Sequence, residues 1–589
     1  MKSVCGGNAV AAGFALFTAF AASGMTLDLT PSVQSPAPVG TIVTFNASVS
    51  GVQGTNLWYR FRVRRAGSEY QMIRDYGPVS TLDWTASKHE GVYEMEVSAR
   101  DLDSGSESSA VSIFNFQSLV QAGQPLVTPT QNSLVFLYSA PACGGGSRMR
   151  VQYQLTGGTV QYTPFQACAG GLSMNFYLAG LRAHSKYTAH HIVDTGSAFV
   201  NGPDVAFTTG DLPGNLYSDT VLISSQSAQS NPILLGAPLG AHPVANDLDG
   251  NVLWYGPEGL TFLTRAEAGG EFWGIVEATA SDTTQQVVRK MDLVGMTLLE
   301  TNAARVSEQL KALGKREITG FHHEARTIAG GRIAVLASVE QILKDVQGPG
   351  PVDVLGDMIV VLDKDLNVVW TWDTFDNLDT SRTAPLGEVC PGAGCPAFYL
   401  AASANDWTHG NSIQETGDGN LLYSTRNQDW LIKVSYDGGY GDGHVLWKLG
   451  KDGDFQINSN DPFPWFSHQH DGNFEAGSLT TLMVFDDGNT RVANMGGGNS
   501  RGQVFELDEV NRTATPVLNT DLGVYSMAVG SAQHLRDGGF HFDAGFVMEN
   551  GTIDSYSFEV DPSGKIQYVA HQDVILYRTF RMTDMYTPN

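Results

Sequence analysis

From Pro213 to the C-terminus one phrase recurs six times: an apolar strand enters an Asp/Gly turn and a second strand leaves it. Its versions are Asp247-Leu-Asp-Gly-Asn-Val-Leu-Trp, Met291-Asp-Leu-Val-Gly-Met-Thr-Leu, Asp363-Lys-Asp-Leu-Asn-Val-Val-Trp, Tyr436-Asp-Gly-Gly-Tyr-Gly-Asp-Gly-His-Val-Leu-Trp, Leu507-Asp-Glu-Val-Asn-Arg and Val560-Asp-Pro-Ser-Gly-Lys-Ile. A second phrase, a tight turn into a strand, recurs at Gly269-Gly, Gly330-Gly-Arg-Ile, Asp418-Gly-Asn-Leu and Asp537-Gly-Gly-Phe. Repeats of this kind stack or close radially, because one unit cannot bury its own apolar face. Residues 213–589 are therefore expected to form a six-bladed β-propeller, which hides its strand edges by radial repetition. Each unit is longer than the roughly 40–50 residues of a lean blade, so insertions are required. Asn302 to Lys315 reads as a helix with Val306, Leu310 and Leu313 on one face, and Val339 to Val346 as a second short helix.

The segment before the repeat reads as two all-β modules. Residues 25–118 alternate in Thr41-Ile-Val-Thr-Phe-Asn, Leu57-Trp-Tyr-Arg-Phe-Arg-Val and Gly91-Val-Tyr-Glu-Met-Glu-Val, as an immunoglobulin-like β-sandwich would. Residues 119–212 are expected to form a fibronectin III-like sandwich, ending in Val205-Ala-Phe-Thr-Thr-Gly. His184, His190 and His191 are placed on its surface. Residues 1–24 read as a signal peptide: Lys2 precedes the apolar stretch Ala9 to Ala22 and a run of small residues. A periplasmic or secreted protein with no membrane span follows. The remaining cysteines, Cys143, Cys168, Cys390 and Cys395, are even in number, and local pairing joins Cys143 to Cys168 and Cys390 to Cys395. A structural metal is the lesser alternative.

The net charge of −26 repels phosphate backbones and argues against nucleic acid as a partner. It also requires any anion site to reverse the charge locally. Three histidines offer such a place. His323, His409 and His470 each lie 7 to 10 residues before the turn glycines Gly330, Gly419 and Gly477. Equivalent positions in successive blades converge on one axis, which packing alone does not explain. His534 falls out of register and is read as structural. Arg426, in Tyr423-Ser-Thr-Arg-Asn-Gln, is read within a buried strand, where an arginine is either paired or binds an anion. Three imidazoles and a guanidinium can hold the oxygens of a sulfuryl or phosphoryl group while one imidazole attacks. No glycine-rich phosphate loop is present.

His409-Gly-Asn-Ser, the following Asp418-Gly-Asn-Leu-Leu-Tyr-Ser-Thr-Arg426, Gln469-His470-Asp and His323-Glu before Gly-Gly-Arg resemble the arylsulfate sulfotransferases of bacteria. The resemblance covers about residues 213–589. It implies an exported, nucleotide-independent enzyme with no cofactor, moving a sulfuryl group from an aryl sulfate to a phenolic acceptor by a ping-pong route. The transient sulfohistidine maps onto His470, and His323, His409 and Arg426 onto the oxygen-binding and proton-handling positions. Cys390 and Cys395 resemble the family's small disulfide loop, and homodimerisation is left open. His322 competes with His323 and His468 with His470; His323 is preferred for the acid that follows it, His470 for its Gln and Asp neighbours. Two other readings stand beside this one. Three imidazoles suit a zinc or copper enzyme, and the sandwiches suit a non-enzymatic adhesion or carbohydrate-binding protein. Trp407, Trp430 and Phe466 are left as core or aryl pocket.

Overall fold

The computed structural model describes residues 25–588 apart from 52–53, 226–230, 278–280 and 392–394. The expected signal segment, 1–24, lies outside the described residues. The protein is all-β, and none of the described helices is long and apolar enough to cross a membrane.

Thr26–Pro31, Val43–Ser50 and Thr81–Trp84 form one sheet of the first sandwich, and Leu57–Arg65, Gln71–Gly77, Gly91–Asp101 and Glu107–Gln117 face it. Strict alternation drives this, because Val43, Phe45, Phe61, Val97 and Phe114 are all buried between the two sheets. Each such side chain contributes roughly 1.5–3 kcal/mol of burial. A second pair of sheets, built around Phe136–Ala140 and Arg148–Leu155, follows. The Cys143–Cys168 bond joins this unit, and Cys390–Cys395 also forms. His191 departs from its expected surface position: it is buried, with Nδ1 2.9 Å from the Tyr138 hydroxyl.

From residue 219 onward the described residues form six sheets. Their first strands are β1 (Phe262–Glu267), β2 (Gly320–Ile328), β3 (Gly410–Glu415), β4 (His470–Phe474), β5 (Gly530–His534) and β6 (Leu576–Asp584). Each of these strands packs against the next, and β6 against β1, so the six close a ring. Closure uses both ends of the segment. The C-terminal β6 pairs with Ile233–Pro238, and Asp219–Ile223 pairs with Ile566–Gln572 at the outer edge of another sheet. Edges that would otherwise invite foreign strands are thereby paired.

All six turn phrases join the third and fourth strands of a sheet, counted from its first strand. Their aspartates make the turn. Oδ1 of Asp247 accepts from the amides of Asp249 and Asn251, and Asp363 and Asp561 make the same pair of bonds two and four residues on. A short carboxylate can replace a backbone acceptor in this way, which is why Asp recurs there.

Of the two expected helices, one forms. α1 (Ala303–Ala312) is capped by Asn302, which accepts from the Arg305 amide, and buries Val306 and Leu310; Leu313 lies past its end, exposed. Val339 to Val346 is not helical. Through Lys344 it continues the strand Arg332–Lys344, paired residue for residue with Pro351–Leu362. The long hairpin supplies cross-strand partners that an eight-residue helix lacks. The sheet of β1 extends into the first sandwich, because Thr297–Asn302 pairs in parallel with Gln71–Gly77. Arg74–Glu300 at 2.7 Å and Arg305–Asp75 at 3.1 Å reinforce that seam.

Candidate functional site

The first strands β1 to β4 are each interrupted near their start by a register shift. A bulge of this kind re-aims side chains and bends the strand. Beside three of the shifts the backbone takes left-handed values at non-glycine residues: His323 (φ 57°), His409 (φ 49°) and Asp471 (φ 51°). Such outliers persist only where the surroundings hold them, and they gather at working sites. Glycine is needed close by. A Cβ on Gly410 would lie 2.4 Å from the Tyr423 ring, and one on Gly472 would lie 2.4 Å from Leu431.

The structure brings His323 and His409 together, with ring centroids 5.0 Å apart. Each candidate histidine has its Nδ1 engaged. In His409 it meets Asp406 Oδ2 at 2.6 Å, and in His470 it meets Asp487 Oδ2 at 2.7 Å. In His323 the Nδ1 partner is Nδ1 of His322, at 2.9 Å. No partner is recorded for Nε2 of any of the three among the described residues.

The competing histidines are placed differently. His322 is fully buried and ion-paired to Asp357 at 3.0 Å. Burial alone would lower its pKa, but Asp357 outweighs burial and raises it, while Asp357 is held below its usual range. With Nε2 on Asp357, His322 meets His323 through Nδ1, so one of the two rings donates there and the other accepts. His468 has both nitrogens occupied, by Asp429 at 2.9 Å and by Glu388.

Arg426 departs from its expected position in a strand. It begins a 3₁₀ turn, Arg426–Gln428, just past the strand Leu421–Thr425, and its amide donates to the His409 carbonyl at 3.2 Å. Its guanidinium donates to Asn427 Oδ1 at 2.7 Å and to the Met527 carbonyl at 3.1 Å. No carboxylate lies within ion-pair distance of it among the described residues. That positive charge acts on His470, whose pKa falls well below the usual imidazole range through burial first, then Arg426, His409 and Arg578. His323 is depressed likewise, by burial and then by His409 and His322. Burial raises the Asp487 carboxyl, and the Arg426 charge opposes that rise.

Several groups at the site escaped sequence reasoning. Asp357 accepts from the Gly410 amide at 2.7 Å and from Tyr423 at 2.5 Å, and thereby sets the entry to β3. The Tyr577 hydroxyl donates to the His323 carbonyl at 2.7 Å and to that of Asn411 at 3.1 Å, tying β6 to β2 and β3. Asp406 and Asp487 were missed as well. The one available signal was Asp486-Asp487 at the end of an apolar strand, since buried carboxylates in such strands are rare. Trp407, Trp430 and Phe466 are buried core side chains. Among the described residues no group of three or more His, Cys, Asp or Glu side chains is arranged to hold a metal ion.

A family model described as Arylsulfotransferase (ASST) matches residues 224–578 of the chain. None of the curated proteins matches it. Among solved structures, the chicken CNTN1 FN1-FN3 domains align at 12% identity and TM-score 0.13, over 31% of this chain and 64% of that one. A two-domain fibronectin type-III segment of chicken tenascin aligns at 15% identity and TM-score 0.14, over 31% and 98%.

Proposed function

Because the chain belongs to the arylsulfotransferase family, and is thus an enzyme that transfers sulfuryl groups, we propose that it works in two steps through His470. Nε2 of His470 attacks sulfur, the N–S bond forms, and the S–O bond to the aryl group breaks. The departing aryl oxide takes its proton from the His409 imidazolium. A phenolic acceptor then gives its proton to neutral His409 and attacks sulfur, the N–S bond breaks, and His470 returns neutral. Arg426 and the Nε2–H of His323 hold the sulfuryl oxygens, where charge develops in the transition state. Preorganised donors of this sort cost no reorganisation as the reaction proceeds.

The observation that carries this reading is the pairing of His470 Nδ1 with Asp487 at 2.7 Å, beside a guanidinium without a carboxylate partner. With the ring proton on Nδ1, facing Asp487, Nε2 keeps a lone pair, as a nucleophile requires. We read the ring of six sheets as a six-bladed β-propeller over 213–589, preceded by sandwich modules at 25–118 and 119–212. The two disulfides support export to an oxidising compartment. The test is transfer from a chromogenic aryl sulfate to phenol without nucleotide, together with capture of an acid-labile sulfo-protein. His470→Ala should lose both; undiminished transfer in that variant would reject the reading.

A further inference from the structure

The six first strands leave an opening toward their C-terminal ends, away from the three histidines. A cavity of about 620 Å³ lies there, and all six strands contribute to its wall. Its inner end is closed by charged side chains. Arg265 donates to Glu324 at 2.7 Å and to Asp471 at 2.5 Å, and Arg578 lies 3.0 Å from Glu324 and 3.8 Å from Asp471. Glu324 follows His323 in the chain, and Asp471 follows His470. One layer of charge thus lies between this cavity and the three histidines.

That layer does not balance. Arg326 projects into the same group, where its charge acts on Arg265, Glu324, Asp471 and Arg578. It donates to the Ile413 carbonyl at 2.9 Å but has no carboxylate within ion-pair distance among the described residues. Three guanidiniums therefore face two carboxylates. The surplus charge is costly to bury, and burial followed by the neighbouring Arg265 pushes the Arg326 pKa down to about 10. At the outer rim Arg536 is exposed and likewise makes no ion pair among the described residues. The rim acids are engaged: Glu267 accepts from the Thr327 amide at 3.1 Å, and Glu475 lies 3.3 Å from His534. Arg581, also in the wall, is paired with Glu559.

We propose that this cavity is a second binding site, for an organic oxyanion whose sulfonate, sulfate or carboxylate head meets Arg326 and Arg265 while its apolar body lies against Ala266, Ala476 and Pro588. An anion there neutralises the surplus charge, and the planar fork of arginine matches such a head group. The volume suits a small organic molecule rather than a bare ion, which would leave the apolar wall uncovered. Arg265 is shared between the ligand and two carboxylates adjoining His323 and His470, so occupancy is linked to the strands that carry those histidines. The proposal stands on the cavity and its charges, and does not depend on the sulfuryl-transfer reading.

Calorimetric titration with 4-methylbenzenesulfonate, which has no ester oxygen to lose, tests it. The expected result is two sites per chain. Arg326→Gln should abolish one and leave the other, whereas Arg426→Gln should do the reverse. If Arg326→Gln fails to fold, Arg536→Glu, at an exposed position, should weaken the same site about tenfold, the scale of a lost charge contact. Binding that responds to Arg426→Gln but to neither Arg326→Gln nor Arg536→Glu would overturn the proposal, as would no binding at all.

Discussion

At His470 the deciding atom is the proton on Nδ1. In the proposed transfer Asp487 Oδ2, 2.7 Å away, holds it there, while burial and Arg426 lower the pKa of the buried ring. Asp487→Asn keeps the size but offers an N–H₂ donor to Nδ1, which forces the proton onto Nε2. Turnover should fall by about 10³–10⁴-fold, the cost of a wrong tautomer in a comparable pair, with the unfolding midpoint as a control for folding. The depressed pKa of His470 has a sign that kinetics can read. An ordinary imidazole protonates near about 6.5, but this one stays neutral well below that value. Donor kcat/KM should therefore show no decline as pH falls past the usual imidazole range; a decline centred there would contradict the assignment. Stability follows the same linkage for His470 and His323, both depressed in the fold. Their contribution is complete above about 6.5, and is lost as pH falls toward their folded values. His322 has the opposite sign, since its folded pKa is raised: its contribution is full below about 6.5 and is lost as pH rises through the folded value.

At the level of strands, the bulges place the histidines and small residues make the bulges fit. Gly410 touches the Tyr423 ring, and Tyr423 donates to Asp357, which in turn pairs with His322. Gly410→Ala should overpack this contact at a cost of about 1–3 kcal/mol, lowering the denaturation midpoint and turnover together. A variant with wild-type stability would show that the strand can shift. The turn phrases were readable because an Asx turn is local: Asp363 needs only the amides of Asp365 and Asn367. The strand around Val339–Val346 was misread for the converse reason. Its partners, Pro351 to Val354 and beyond, lie across a hairpin, and an apolar run of that length fits either element until the partner is known. Arg426 was misplaced by a single residue's breadth, at the point where strand gives way to a 3₁₀ turn.

For the molecule as a whole, continuity depends on the chain's far ends meeting. β6 supplies the first strand of the sheet begun by Ile233–Pro238, and Tyr586 donates to the Tyr177 carbonyl at 2.7 Å in the second sandwich. Removing residues 574–589 should abolish a cooperative thermal transition, read by calorimetry, and give an aggregating chain; a sharp transition in the truncated protein would show that the ring closes without β6. Strand alternation, six aspartate turns and an N-capped helix are interactions over a few residues, so their positions were already present in the order of the amino acids. So was the spacing of three histidines from their turns. Contacts across sheets were not. That Asp487 serves His470, that His322 stands behind His323, that His468 is sealed between Asp429 and Glu388, and that Arg426 makes no ion pair among the described residues all depend on residues up to 80 positions apart being folded into contact. Desolvation and charge proximity set protonation, and neither exists until the chain has closed around the site.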